Sequence, residues 1–153
     1  MSLSPPEHLA ATWSSVFKRR GGAGSHTGLW GGLAPAVQAS ILARVELGAD
    51  EIPVIAGSGA AEIAIAEGFL LTSHRLVVIA AGGLRIIPVG EIVGVGPERL
   101  RGAGTGRSNL VITLRDGSEV VLRVEPGAPC LGVWNVLRVV AARGAEAGRG
   151  GGS

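Results

Sequence analysis

Apolar positions recur with a helical period in the first third of the chain and fall into short runs broken by turn residues in the rest. Over residues 6–20, Leu9, Trp13, Val16 and Phe17 stand at i, i+4, i+7 and i+8, a spacing that predicts an amphipathic helix. Pro6 suits its first turn, and Lys18-Arg19-Arg20 place cations where the helix dipole favours them. The glycine-rich stretch 21–33 reads as a linker. A second helix is predicted over 34–47, with Pro35 at its start, Val37, Ile41 and Val45 on one face, and Gly48 as its stop.

From Asp50 onward the pattern is that of strands, over 52–56, 62–72, 75–81, 84–89, 92–95, 109–115 and 119–125, punctuated by Gly, Pro, Ser and Asp. Strands of this number and spacing suggest a single antiparallel barrel or sandwich. The last hairpin can be tested by register. A two-residue turn would set Leu110 against Arg123 and Leu114 against Glu119, mixing apolar and charged faces. A three-residue loop, Arg115-Asp116-Gly117, pairs Leu110 with Leu122 and Ile112 with Val120, and leaves Thr113–Glu119 and Asn109–Arg123 on the outer face. Gly117 then takes the left-handed position of a type I turn with a bulge. A final helix is expected over 129–143, with Cys130, Trp134, Leu137 and Ala141 on one face, Trp134 plugging the barrel, and Gly144 as its stop. The organisation expected is a helical arm (1–20), a linker (21–33), a leading helix (34–48), a β domain (49–143) and a flexible glycine-rich tail (144–153).

Composition narrows the classes. The chain of 153 residues is 46% hydrophobic, which rules out disorder throughout, yet it has no apolar run near the ~20 residues of a membrane helix. Its N-terminus lacks the basic-then-apolar order of a signal peptide, so a cytoplasmic protein is expected. The lone Cys130 excludes an internal disulfide and every multi-cysteine zinc site. The net charge of +2 sits beside a pI of about 9.5 because nearly all the basic residues are arginine and few groups titrate between pH 8 and 10. The high pI is therefore weak evidence for a polyanionic partner.

Two stretches carry a family resemblance. Glu67-Gly68-Phe69-Leu70-Leu71-Thr72-Ser73-His74-Arg75-Leu76-Val77-Val78 is similar to a G-x-L-x-L-T-x-x-R-L pattern. Ile86-Ile87-Pro88-Val89-Gly90-Glu91-Ile92-Val93-Gly94-Val95 is similar to I-P-hydrophobic-x-(D/E)-I-x-x-V. With the closing helix around Trp134, residues 50–143 resemble a bacterial pleckstrin-homology-like domain of the GRAM-related type. The resemblance implies a partly open seven-stranded antiparallel barrel capped by a C-terminal helix, binding lipids, peptides or proteins without chemistry of its own. Lipid-binding members of the wider family carry cations around the first hairpin loop, whereas Gly57-Ser58-Gly59-Ala60-Ala61 has none and Glu62 follows it.

Candidate chemistry is sparse. Thr72-Ser73-His74-Arg75 reads as a hairpin turn in which Thr72 bonds local backbone and Arg75 pairs with a carboxylate such as Glu91, rather than as a nucleophile with its base. His8, His26 and His74 have no metal-ligand spacing, so neither metal nor cofactor is expected. Arg99, Arg101 and Arg107, interleaved with Gly102, Gly104 and Gly106, form a candidate loop for an acidic ligand, without the aromatic interleaving of a nucleic-acid site. Trp13 and Phe17, with Lys18, Arg19 and Arg20, form a candidate docking face. The expectation is a non-enzymatic adaptor for a protein partner or acidic ligand; the alternative is a peripheral membrane adaptor that binds anionic lipid through helix 6–20. No nucleic-acid partner is expected.

Overall fold

The computed structural model describes residues 5–24, 27–58, 68–80, 82–97, 108–125 and 127–150. Three helices, α1 (Pro5–Arg20), α2 (Pro35–Leu42) and α3 (Ala128–Gly150), accompany eight strands among the described residues. These are β1 (Thr27–Leu29), β2 (Pro53–Ser58), β3 (Gly68–Thr72), β4 (Arg75–Ala80), β5 (Gly83–Pro88), β6 (Ile92–Pro97), β7 (Ser108–Leu114) and β8 (Glu119–Val124).

Every pairing is antiparallel, and the strands form two sheets in the orders β1-β2-β3-β4-β5 and β6-β7-β8. The mainly antiparallel β fold with a C-terminal helix expected from the sequence is present, as two sheets that do not close into one barrel: β5 and β6 are edge strands of different sheets. Between them the chain makes a 3-10 turn over Val89–Glu91, and α3 packs against both this turn and β6.

Two apolar layers hold the sheets. The larger joins Ile55, Phe69, Leu71, Leu76 and Ile87 of the first sheet to Leu110, Ile112, Leu122 and Val124 of the second, with Trp13, Phe17, Val133, Val136, Leu137 and Val140 from α1 and α3. The smaller lies on the opposite face of the first sheet, where Ile41 and Val45 cover Ala56, Leu70, Val77 and Ile79. Burial on both faces explains why Phe69, Leu70 and Leu71 form an unbroken apolar run rather than an alternation.

The β7–β8 hairpin has the register that charge and hydropathy demand. Leu110 faces Leu122, Ile112 faces Val120, Thr113 faces Glu119 and Asn109 faces Arg123. The N–H of Leu114 donates to the carbonyl of Ser118 at 2.9 Å, and Gly117 sits at φ +89°. Asp116 completes the loop by accepting from the backbone N–H of Ser118 at 2.9 Å and from its hydroxyl. The Ser118 hydroxyl and N–H bonds hold its carboxyl below the ordinary value.

Four expectations are corrected. The stretch 21–33 is more than a linker: Thr27–Leu29 pairs with β2, and Trp30–Gly32 forms a 3-10 turn. A Cβ on Gly57 would lie 2.5 Å from the Thr27 hydroxyl and 3.0 Å from the Phe69 ring, so glycine there admits β1. Second, α2 ends at Leu42 rather than 47, and beyond it the Glu46 carbonyl accepts from Arg75 instead of continuing a helix. Third, α3 continues past Gly144, where a flexible tail was expected, to Gly150. Gly144 is a site of close approach rather than a stop, since a Cβ there would stand 2.2 Å from the carbonyl oxygen of Ile92.

Fourth, Trp134 is not the plug. Val133, Val136, Leu137 and Val140 face the core, and Trp134 packs half-buried at the edge of that layer. Of the predicted face, Leu137 and Ala141 lie in the core, whereas Cys130 and Trp134 are only partly buried against it. Among the described residues no helix is long and apolar enough to cross a membrane.

Candidate functional site

Polar chemistry concentrates where β3 turns into β4. The Thr72 hydroxyl accepts the N–H groups of His74 and Arg75, each at 3.1 Å, and lies in hydrogen-bond contact with the Glu51 carboxylate. Arg75 meets that carboxylate with two donors, Nε at 2.7 Å and one Nη at 3.1 Å. The correction to the sequence reading is the partner: Arg75 pairs with Glu51, not Glu91. The Gly48 N–H adds a third kind of donor at 3.0 Å.

Burial raises the pKa of Glu51, but the bonds from Arg75, Thr72 and Gly48 and the charge of Arg75 together outweigh it and hold the value at about 2. The cluster therefore ties the segment after α2 to the β3–β4 hairpin through an ionised carboxylate whose side chain is only 5% exposed.

A serine–histidine contact lies beside it, with Ser73 Oγ and His74 Nδ1 2.7 Å apart. Acyl transfer would need N–H donors aimed at a developing oxyanion. Those nearest are already engaged: Ile52 N–H donates to Ser73 Oγ, Ser73 N–H to the Ile52 carbonyl, and the His74 and Arg75 N–H groups to Thr72. These bonds hold the β3–β4 turn closed against the segment at Ile52.

The predicted docking face divides. Trp13 and Phe17 are each 1% exposed, within the larger core, so membrane insertion of this face has no aromatic side chains left to use. Lys18, Arg19 and Arg20 remain exposed. Gly132 accepts the Phe17 ring so closely that a Cβ there would lie 2.6 Å from it, which fixes α1 on α3. Arg99, Arg101 and Arg107 lie outside the described residues, as do His26, residues 59–61 of the first hairpin loop and residues 62–67 of the strand expected over 62–72. No three His, Cys, Asp or Glu residues are grouped to hold a metal among the described residues.

A surface not singled out from the sequence is the β5 edge. Its register sets Ile86 opposite Val77 and Leu84 opposite Ile79, on the sheet face that α2 covers. The cover stops short of β5, leaving Ile86 52% and Leu84 38% exposed, with Leu42 of α2 also exposed at 46%. The bond from Val89 N–H to the His74 carbonyl makes that pair a hydrogen-bonded one. Alternation along the ladder then turns the backbone N–H and C=O groups of Leu84 and Ile86 away from β4, toward the open edge. Pro88, which has no N–H, and the exposed Arg85 blunt the edge without covering it. Apolar side chains and outward-facing backbone groups on one edge strand are what an added strand requires.

Comparison of the chain with family models, with curated proteins and with solved structures finds no match.

Proposed function

We propose that the chain is a non-enzymatic binding module of the pleckstrin-homology-like type, and that it takes an extended segment of a protein partner along β5. The observation that carries the reading is the β5 edge, where Leu84 and Ile86 offer both side chains and backbone groups. The order of elements supports the class. A four-strand meander, β2 to β5, is followed by a three-strand meander, β6 to β8, and then by a helix packed on β6. Seven strands followed by a closing helix is what the resemblance implies, and β1 and α2 are added on the first sheet.

Main-chain pairing would supply register-independent affinity, and the Leu84–Ile86 row with Leu42 would select apolar side chains at alternate positions of the partner. The test is selection of binding peptides from a random library displayed on phage, followed by amide hydrogen exchange of the complex. Selected peptides should slow exchange of the Leu84 and Ile86 amides, and Ile86→Lys should weaken them about tenfold or more. Failure to enrich any peptide, or binding that leaves both amides unprotected, would overturn the proposal.

A further inference from the structure

A surface that the peptide-binding reading does not use lies between α1 and α3. An open groove of about 560 Å³ runs between α1 and α3, lined by Val16, Arg19 and Arg20 on one side and Asn135, Arg138 and Val139 on the other. Both helices present residues at i, i+3 and i+4, so each offers a ridge to the same space. Among the described residues the lining holds three guanidinium groups, one amide and two valines, and no carboxylate.

These arginines differ from others in the molecule. Arg75 grips Glu51, Arg115 donates to the carbonyls of Gly90 and Gly144, and Arg44 donates to the carbonyl of Ala80. Arg19, Arg20 and Arg138 form no ion pair with a described residue, and Arg19 makes only a long Nε bond of 3.4 Å to the Ser15 carbonyl. A helix C-terminus accounts for cations at Arg19 and Arg20, which close α1. It does not account for Arg138, which projects from the middle of α3 into the same groove.

The walls are set before any ligand arrives. A Cβ on Gly21 would stand 2.2 Å from the backbone nitrogen of Gly132, and one on Gly132 would strike the Phe17 ring, so α1 and α3 are held at backbone contact. The Asn135 side-chain nitrogen donates to the Leu131 carbonyl at 2.8 Å, which orients its amide and leaves the carbonyl oxygen and a second N–H for other partners.

We infer that this groove is a binding site for a phosphate ester, with Arg19, Arg20 and Arg138 as the anion ligands and Val16 and Val139 as an apolar floor for the organic part. Guanidinium forks match the tetrahedral oxygens of a phosphate by paired donors, and a volume of this order suits a small organic molecule. The phosphate is the shared chemistry of two sources, a soluble ester and a phospholipid headgroup.

Two probes separate them on the full chain. Glycerol 3-phosphate is titrated by calorimetry, and vesicles of phosphatidylcholine with and without phosphatidic acid are tested by co-sedimentation. Saturable binding of glycerol 3-phosphate assigns a soluble ester; binding only to the phosphatidic acid vesicles assigns a lipid. In either case Arg138→Gln should weaken binding about tenfold, while Arg143→Gln, an exposed arginine of α3 outside the groove lining, leaves it unchanged. Unaltered thermal melting of both variants separates a binding loss from a folding loss. The inference is overturned if neither probe binds saturably, or if Arg143→Gln weakens binding as much as Arg138→Gln.

Discussion

Replacing Glu51 by Gln keeps the size of the side chain and removes the charge on which the β3–β4 corner is built. The carboxylate has an ordinary value of 4.5 and is held at about 2 in the fold. Burial, the largest single influence, acts upward and is outweighed by the bonds from Arg75, Thr72 and Gly48 and by the Arg75 charge. At ~1.4 kcal/mol per pH unit, the interval corresponds to roughly 3 kcal/mol of preference for the ionised form. Water reaches the pair through Arg75, whose side chain is 21% exposed, and screening reduces the expected contribution to about 2 kcal/mol.

The sign follows from the direction of the shift. A folded pKa below the unfolded one means that the unfolded chain takes up the proton first. The stabilisation is therefore complete above pH 4.5 and is lost as the pH falls toward 2. Urea unfolding of the parent and of Glu51→Gln, followed by far-ultraviolet circular dichroism from about pH 7 to about pH 2.5, measures both stabilities across the interval. The variant should be about 2 kcal/mol less stable at neutral pH, and the gap should close on acidification. A gap that stays constant down to the lowest pH would refute the argument, because the loss would then owe nothing to the charge.

Two further substitutions test the packing. Phe17→Ala should cost about 3–5 kcal/mol in chemical denaturation, the range for emptying a buried phenyl site; a loss under about 1 kcal/mol would make α1 a detachable arm after all. Gly144→Ala should lower the melting temperature, because its methyl group would press on the Ile92 carbonyl, whereas the same change in a free helical tail would leave stability unchanged or raised. A raised melting temperature would show that α3 does not approach β6 there.

Local rules carried the sequence reading where the interactions are local. The β7–β8 register followed from parity alone, because only an odd loop keeps Leu110, Ile112, Val120 and Leu122 on one face. The limits of α1 followed from its apolar period and its terminal cations. Apart from Trp134, which lies on a helix apolar on more than one side, the misses are long-range. Glu51 and Arg75 are 24 residues apart, and no pattern selects Glu51 over Glu91 as the partner. Thr27-Gly28-Leu29 has no strand signature of its own and becomes one because Gly57 leaves it room. Leu84–Val89 reads as an ordinary core strand, and its position at a sheet edge is a property of topology that hydropathy does not encode. In the arginine groove the α1 half was legible as Lys18-Arg19-Arg20, whereas Arg138 is a single cation within an apolar helical run and has no pattern of its own.

The scarcity of aromatic residues explains why the N-terminal segment belongs to the domain. The chain has three tryptophans, two phenylalanines and no tyrosine. The three largest fully buried side chains are Trp13, Phe17 and Phe69, and two of these come from α1. The two sheets contribute mainly Val, Ile and Leu to the larger core, and α1 lies against α3 and β2 at its margin. Two aromatic side chains, burying roughly 150–250 Å² each, fill that layer from the α1 side. The close approaches at Gly21 and Gly132 exist to let them in, and β1 then returns the chain to the first sheet. Removal of residues 1–33 would therefore unroof the larger core and strip an edge from β2, so the smallest unit consistent with this packing begins with α1 rather than with the β domain.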